Sequence, residues 1–175
     1  ISAWETMKLS EICLNITDGK HGDCEDELDS GYYFVSCKDV KDGVIDLTNS
    51  RQIKKSEFLD THKRTKLQVG DILITNSGTI GRMAIITNEE IARKTTFQKS
   101  VAIIKPDQNV VQPEYLYYCI KYNLPELIRY SGGSVQNNLL LKDIRGFRVR
   151  IPPLSIQKTL ANHIRNYDLL LNSLH

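Results

Sequence analysis

Five short stretches of this sequence hold side chains of the kinds that do chemistry, and each is incomplete as a catalytic set. Asp18-Gly19-Lys20 and Asp39-Val40-Lys41 both put an acid two residues before a lysine, where a metal-dependent nuclease would be sought. Neither sits in a convincing strand with a second acid nearby, and such pairs arise by chance in a chain that is 25% charged. His21 and Cys24 would be half of a zinc site, but two further ligands at suitable spacing are missing. Pro152-Pro153 is followed by Leu154 instead of the tyrosine of a Pro-Pro-Tyr amino-methyltransferase motif. The loop at 76–82, Asn-Ser-Gly-Thr-Ile-Gly-Arg, has glycines and hydroxyls but not the lysine placement of a nucleotide-binding loop. No serine or cysteine has an identifiable His and Asp partner set. These residues predict a protein without catalysis, metal or nucleotide of its own.

A different chemistry, that of reading a nucleic acid, is spread over four loops. Lys20 and His21 stand at the tip of the turn 18–22, and Ser77, Thr79 and Arg82 lie in the loop 76–82. Arg93-Lys94-Thr95-Thr96-Phe97-Gln98-Lys99 mixes cations suited to phosphates with a glutamine able to pair bidentately with adenine. Taken as residues alone, that segment is equally a polar lead-in to a strand. Ser134, Gln136 and Asn137 sit in a glycine-polar run with no apolar face to bury. Lysine and arginine would neutralise phosphates and fix register, whereas glutamine, asparagine, serine and threonine would read base edges. The net charge of +2 is too small to announce such a partner. The charges are segregated, however: 24–29 is acidic, 51–66 and 142–150 are basic, so local fields must carry the argument. Lys54, Lys55, Lys63, Arg64 and Lys66 form either a solvated face or a phosphate-binding one. Tyr117, Tyr118 and Tyr122 could stack on bases, but at this spacing they more often fill a core.

The elements that must position these loops predict an α+β fold with a mixed, mainly antiparallel sheet. Strands are expected at 32–37, 44–47, 72–75, 83–86, 101–105 and 147–151. The pair 72–75 and 83–86 is nearly continuous in apolar residues, the pattern of strands at the centre of a sheet. Helices are expected at 10–14, at 57–64 capped by Ser56, from Pro113 through 122, and at 125–130. In 147–151 apolar Phe147, Val149 and Ile151 alternate with Arg148 and Arg150, a strand with one face in a core and one charged. Pro152-Pro153 then fixes a bend, with Ser155 as the expected cap of a closing helix. On it Leu160, Ile164, Tyr167, Leu171 and Leu174 are spaced four, three, four, three, a coiled-coil seam that wants a partner helix. This divides the chain into a globule at 1–153 and a protruding helix at 154–175. A length of 175 residues suits one domain with such an appendage. Four cysteines without a CxxC pair, together with the lack of a signal peptide or long apolar run, predict a reduced, soluble, cytoplasmic protein.

Gly133-Ser134-Val135-Gln136-Asn137-Asn138-Leu139, then Leu141-Lys142-Asp143-Ile144, then Val149-Arg150-Ile151-Pro152-Pro153-Leu154 and Gln157-Lys158, resemble in order and spacing the end of a particular domain. It is the target recognition domain in specificity subunits of Type I restriction-modification enzymes. Upstream, Asp18-Gly19-Lys20-His21, Gly70-Asp71-Ile72-Leu73-Ile74 and Ser77-Gly78-Thr79-Ile80-Gly81 extend the resemblance over nearly the whole chain. Such subunits usually carry two recognition domains and two long spacer helices, whereas this chain has one domain and the beginning of a helix. The resemblance implies recognition of one half of a bipartite site in double-stranded DNA, with variable reading loops that include 93–99. It implies docking to methyltransferase subunits and a restriction or translocase subunit, which would hold S-adenosylmethionine and ATP. The helix would pair with another copy or with the second half of a longer subunit. A DNA-acting enzyme fragment, nuclease or fused restriction-methylation protein, is the competing reading, and a generic interaction domain with a dimerising helix is a third.

Overall fold

Two strands that are apolar on both faces, β7 (Ile72–Thr75) and β10 (Val101–Pro106), form the middle of the structure, a computed structural model described over residues 4–131 and 138–174. They pair antiparallel, Val101 with Thr75 through Ile104 with Ile72. β2 (Cys13–Asp18) joins on the far side of β10 and β8 (Met83–Ile85) on the far side of β7, giving the order β2-β10-β7-β8. Period-two alternation explains the continuous apolar runs. Ile72, Ile74, Ala102 and Ile104 enter one buried cluster, while Leu73, Val101 and Ile103 enter the other. The 83–86 strand is at the end of this sheet, not its centre. Its free edge is nevertheless satisfied, because the Gly43 amide donates to Met83 O at 3.0 Å and the Ile85 amide to Gly43 O at 3.1 Å. Gly43 is the turn between β4 (Val40–Lys41) and β5 (Val44–Ile45), with φ of +86°.

The second cluster is closed by a smaller sheet: β3 (Tyr33–Val35) between β6 (Arg51–Gln52), antiparallel, and β9 (Thr95–Phe97), parallel. Against it lies α2 (Lys55–Thr65), whose cap is Lys54 and not Ser56. α3 (Glu89–Lys94) follows a side-chain cap from Asn88 and turns 93–94 from a loop into the end of a helix.

The first cluster is covered by α1 (Leu9–Ile12), α4 (Pro113–Tyr122), α5 (Leu124–Tyr130), α6 (Leu141–Gly146) and the first half of α7 (Leu154–Asn172). α1 ends two residues before the expected helix does, and Cys13 already opens β2. β1 (Glu5–Lys8) and β11 (Arg148–Ile151) make a separate antiparallel ribbon, with Val149 buried and Arg148 and Arg150 exposed as the alternation predicts. The helix that follows starts at Leu154 after Pro153, earlier than a Ser155 cap would allow. It does not leave the globule at once. Gln157 and Ala161 are fully buried, Leu160 and Ile164 pack on the core, and Asp168 receives Lys121 Nζ at 2.7 Å while Arg165 reaches Glu114 at 3.0 Å. The Gln157 side chain donates to Pro152 O and Val110 O and accepts from the Gln112 amide, which fixes the bend after Pro152-Pro153. The five seam residues are therefore split: Leu160 and Ile164 serve this domain, whereas Tyr167, Leu171 and Leu174 are 60%, 41% and 79% exposed. No helix among the described residues is long and apolar enough to cross a membrane.

Candidate nucleic-acid interface

Strand direction brings four distant chain segments to one edge. β2 and β7 run toward it and end there, β3 and β9 do the same in parallel, and β10 starts from it. The backbone ties these ends together. The Lys20 amide donates to Phe97 O at 2.8 Å and the Lys99 amide to Lys20 O at 3.1 Å; Gln98 N reaches Val35 O at 2.9 Å, and Asn76 N reaches Ser100 O at 3.0 Å. Ser77 bridges Asn138, and the Leu139 amide donates to Asn76 O at 2.7 Å. His21, Ser77 and Lys99 thus line a shallow hollow together with Asp18, Asn76, Asn138 and the leucines 139–141, and Lys20 and Gln98, bridged to each other, stand at the same edge.

Most charge at this edge is balanced internally, with Lys99 outside any ion pair among the described residues. Asp18, with its side chain 11% exposed, accepts from Arg64 Nη2 at 2.6 Å and pairs with His21 Nε2 at 2.9 Å. Lys20 Nζ donates to Glu57 at 2.9 Å; this contact raises the lysine pKa and lowers that of the glutamate. Both partners come from α2, so of the basic cluster around it Arg64 alone reaches the edge. Lys54 pairs with Glu25, Lys63 with Asp60 at 3.8 Å, and Lys55 stands 6.0 Å over the Tyr32 ring. Glu57 was not singled out from sequence, Arg64 was considered only as part of a basic cluster and Asp18 only as a possible nuclease acid; their role here depends on α2 lying across the edge, which no local pattern announces.

Of the other expected contacts, Arg93 and Lys94 lie away from this edge, and Thr79 and Arg82 lie in the turn that follows β7 at the same end of the sheet but outside the hollow. Arg93 and Lys94 belong to α3, where they pair with Glu89 at 3.1 Å and Glu90 at 2.9 Å. Four residues of extended chain put Lys94 about 13 Å from Gln98, at the opposite end of β9. The i,i+4 acids Glu89 and Glu90, one helical turn before the segment considered, were the signal for this. Thr79 and Arg82 occupy the hairpin tip. Thr79 O accepts from Thr75 Oγ1, and Arg82 Nη1 donates to Cys37 O at 3.3 Å while lining a separate groove of about 820 Å³ against α4 and α7. Ser134, Gln136 and Asn137 lie outside the described residues. Tyr117 and Tyr118 are buried in the core, and the Tyr122 hydroxyl donates to Asp168. Among the described residues no group of three or more His, Cys, Asp or Glu side chains is placed to hold a metal ion.

The arrangement is a strand edge carrying amides, hydroxyls and cations. The family model described as Type I restriction modification DNA specificity domain matches residues 1–175. The chain is similar to the Type I restriction enzyme EcoBI specificity subunit of Escherichia coli, 28% identical over 141 residues, which is 79% of this chain and 29% of that protein. It is also similar to the putative Type I restriction enzyme MjaX specificity subunit of Methanocaldococcus jannaschii, 22% identical over 178 residues, covering 98% and 41%. Among solved structures, the HsdS subunit from Thermoanaerobacter tengcongensis superposes with a TM-score of 0.68 at 15% identity, over 99% of this chain and 39% of that one. The S subunit from M. genitalium does so at 0.65 and 14%, over 99% and 41%. The chain spans less than half the length of each of these relatives.

Proposed function

We propose that this chain, which belongs to the Type I restriction modification DNA specificity domain family, reads one half of a bipartite sequence in double-stranded DNA. The observation that carries this reading is the convergence of Lys20, His21, Ser77, Gln98 and Lys99 on one strand edge from four separate segments. Several short segments are what a half-site requires, because one loop spans too few base pairs. Gln98 and Ser77 supply groups that hydrogen-bond to base edges, and Lys99, exposed and without an ion-pair partner among the described residues, supplies phosphate neutralisation. Lys20 and His21 contribute after exchanging Glu57 and Asp18 for phosphate.

Catalysis in this reading belongs to partners: methyltransferase subunits that bind S-adenosylmethionine and a restriction or translocase subunit that binds ATP, all in the cytoplasm. The exposed end of α7, with Tyr167, Leu171 and Leu174, pairs with a helix of a second copy or of the rest of a longer subunit. Titration calorimetry of the isolated chain with S-adenosylmethionine or ATP is expected to show no binding, and micromolar affinity for either would contradict the division of labour.

The test of reading is a pair of substitutions measured in complex with the methyltransferase. Gln98→Ala is expected to cost ~1 to 3 kcal/mol on the cognate site alone and to relax one base position. Lys99→Ala is expected to weaken all sequences alike and make the slope of log affinity against log salt shallower by ~0.9. Equal losses on cognate and unrelated DNA for Gln98→Ala would remove it from base reading.

A further inference from the structure

Most cations around the small sheet and α2 or α3 are matched to acids: Lys20, Lys41, Arg51, Lys54, Lys63, Arg64, Arg93 and Lys94 lie in ion pairs, while Lys55 and Lys66 lie in none among the described residues. Lys8, Lys142, Arg145, Arg148 and Arg150 lie in none among the described residues, and all five are exposed. Between them Ile144, Phe147 and Val149 are buried, so the segment from α6 through β11 keeps its apolar side chains inside and its cations outside. In the ribbon register Lys8 stands directly opposite Arg148, and Thr6 opposite Arg150. Like charges in that position repel, and neither has an ion-pair partner among the described residues. Arg145 lies along the outer edge of β2, donating to Ile16 O at 2.6 Å, which joins the ribbon to the strand that leads to Asp18 and the reading edge.

We infer that this track, Lys142-Arg145-Arg148-Arg150 with Lys8, is a second DNA contact that holds the phosphate backbone flanking the half-site without reading bases. The inference rests on the DNA-reading role proposed above. One helical turn followed by an extended strand gives the segment 142–150 reach enough for more than one phosphate. Its chemistry favours a phosphate backbone over a protein face. Its outward side chains are cations and the Thr6 hydroxyl, with the intervening apolar groups turned inward, whereas a protein interface has an apolar centre depleted of charge. The acids near it do not neutralise it. The Glu11 carboxylate accepts from the Lys8 amide at 2.6 Å at the start of α1, and Glu126 shares a hollow with Arg148 without an ion pair. Asp143, in the first turn of α6, makes no ion pair either. A track of repelling cations costs stability in the free protein and becomes useful when an external polyanion arrives.

The test measures binding of the chain to a short duplex of random sequence by fluorescence anisotropy over a range of salt. Arg148→Thr with Arg150→Thr is expected to make the slope of log affinity against log salt shallower by ~1.8, two contacts at ~0.9 each. Arg148→Lys with Arg150→Lys is expected to keep the wild-type slope. Thermal unfolding of the threonine variant is expected at the wild-type temperature or above it, because a like-charge pair has been removed, which separates lost contact from lost fold. A wild-type slope in the threonine variant overturns the track while leaving the reading edge standing. That slope together with lost binding to the methyltransferase subunits assigns the cations to an acidic protein face and also overturns it. Absence of any salt-dependent DNA binding by the wild-type chain overturns both proposals.

Discussion

Lys105→Met is expected to destabilise the domain by ~3 to 5 kcal/mol at neutral pH, because it leaves a carboxylate buried without its cation. Asp71, 4% exposed, accepts from the Lys105 ammonium and from the Gln68 amide at 2.8 Å. Lys105 also donates to Lys66 O at 2.9 Å, so the same ammonium ties the end of α2 to the central sheet. Burial raises the Asp71 pKa, and the Lys105 contact only partly opposes it. A carboxyl whose folded pKa is raised binds more protons in the folded state. Its contribution is therefore greatest below the ordinary carboxylate range and declines as pH rises through the folded value. Urea unfolding as a function of pH should show this decline becoming steeper in Lys105→Met. The double variant Lys105→Met with Asp71→Asn should recover part of the loss, since no charge is then left unpaired. Because α2 supplies Arg64 and Glu57, loosening its end should also disorder the reading edge.

Gly19→Ala is expected to cost ~3 kcal/mol and to open that edge directly. A methyl at this position would lie 2.1 Å from Phe97 O and 2.4 Å from Gln98 O, backbone atoms that have no rotamer to escape into. The end of β2 must then move away from β9, and the hydrogen bonds Lys20 N to Phe97 O and Lys99 N to Lys20 O fail with it. Amide hydrogen exchange at Lys20 and Lys99 should accelerate well beyond the change at Ile103, which lies in the sheet interior. Gly22 is the control: its φ is +127° and no atom lies within 4 Å of an added methyl, so Gly22→Ala should cost backbone strain of roughly 1 to 3 kcal/mol without spreading β2 from β9.

The legible parts of this fold are those with a strong period. The run at 72–75 was recognisable as a central strand because both faces carry apolar residues, 101–105 was recognisable as a strand, and the Arg148 and Arg150 alternation placed β11. Gly19 and Lys20 were legible as a turn, but their partners were not. That Lys20 meets Gln98 follows from parallel pairing of β3 with β9 across a separation of some sixty residues, which no local signal encodes. Arg93 and Lys94 were read as free cations because attention stayed on 93–99, while Glu89 and Glu90, one turn earlier, had already claimed them. The helix seam was read by spacing alone. Spacing cannot distinguish a partner helix from the domain's own α4, and Leu160 and Ile164 went to the latter side.

The central claim is that the convergent strand edge touches DNA, and a native thiol reports on it. Cys37 is half-buried at that edge, its amide donating to Ser100 Oγ at 3.2 Å and its carbonyl accepting from Arg82. Burial raises the thiol pKa of Cys13 to about 12 and raises those of Cys24 and Cys119, which suppresses their reactivity. The direct measurement is the alkylation rate of Cys37, followed by peptide mass spectrometry in the assembled methyltransferase, with and without a duplex carrying the sequence that it methylates. The account predicts that the duplex slows alkylation of Cys37 and that Gln98→Ala weakens this protection on that sequence. An unchanged Cys37 rate at saturating duplex would contradict it.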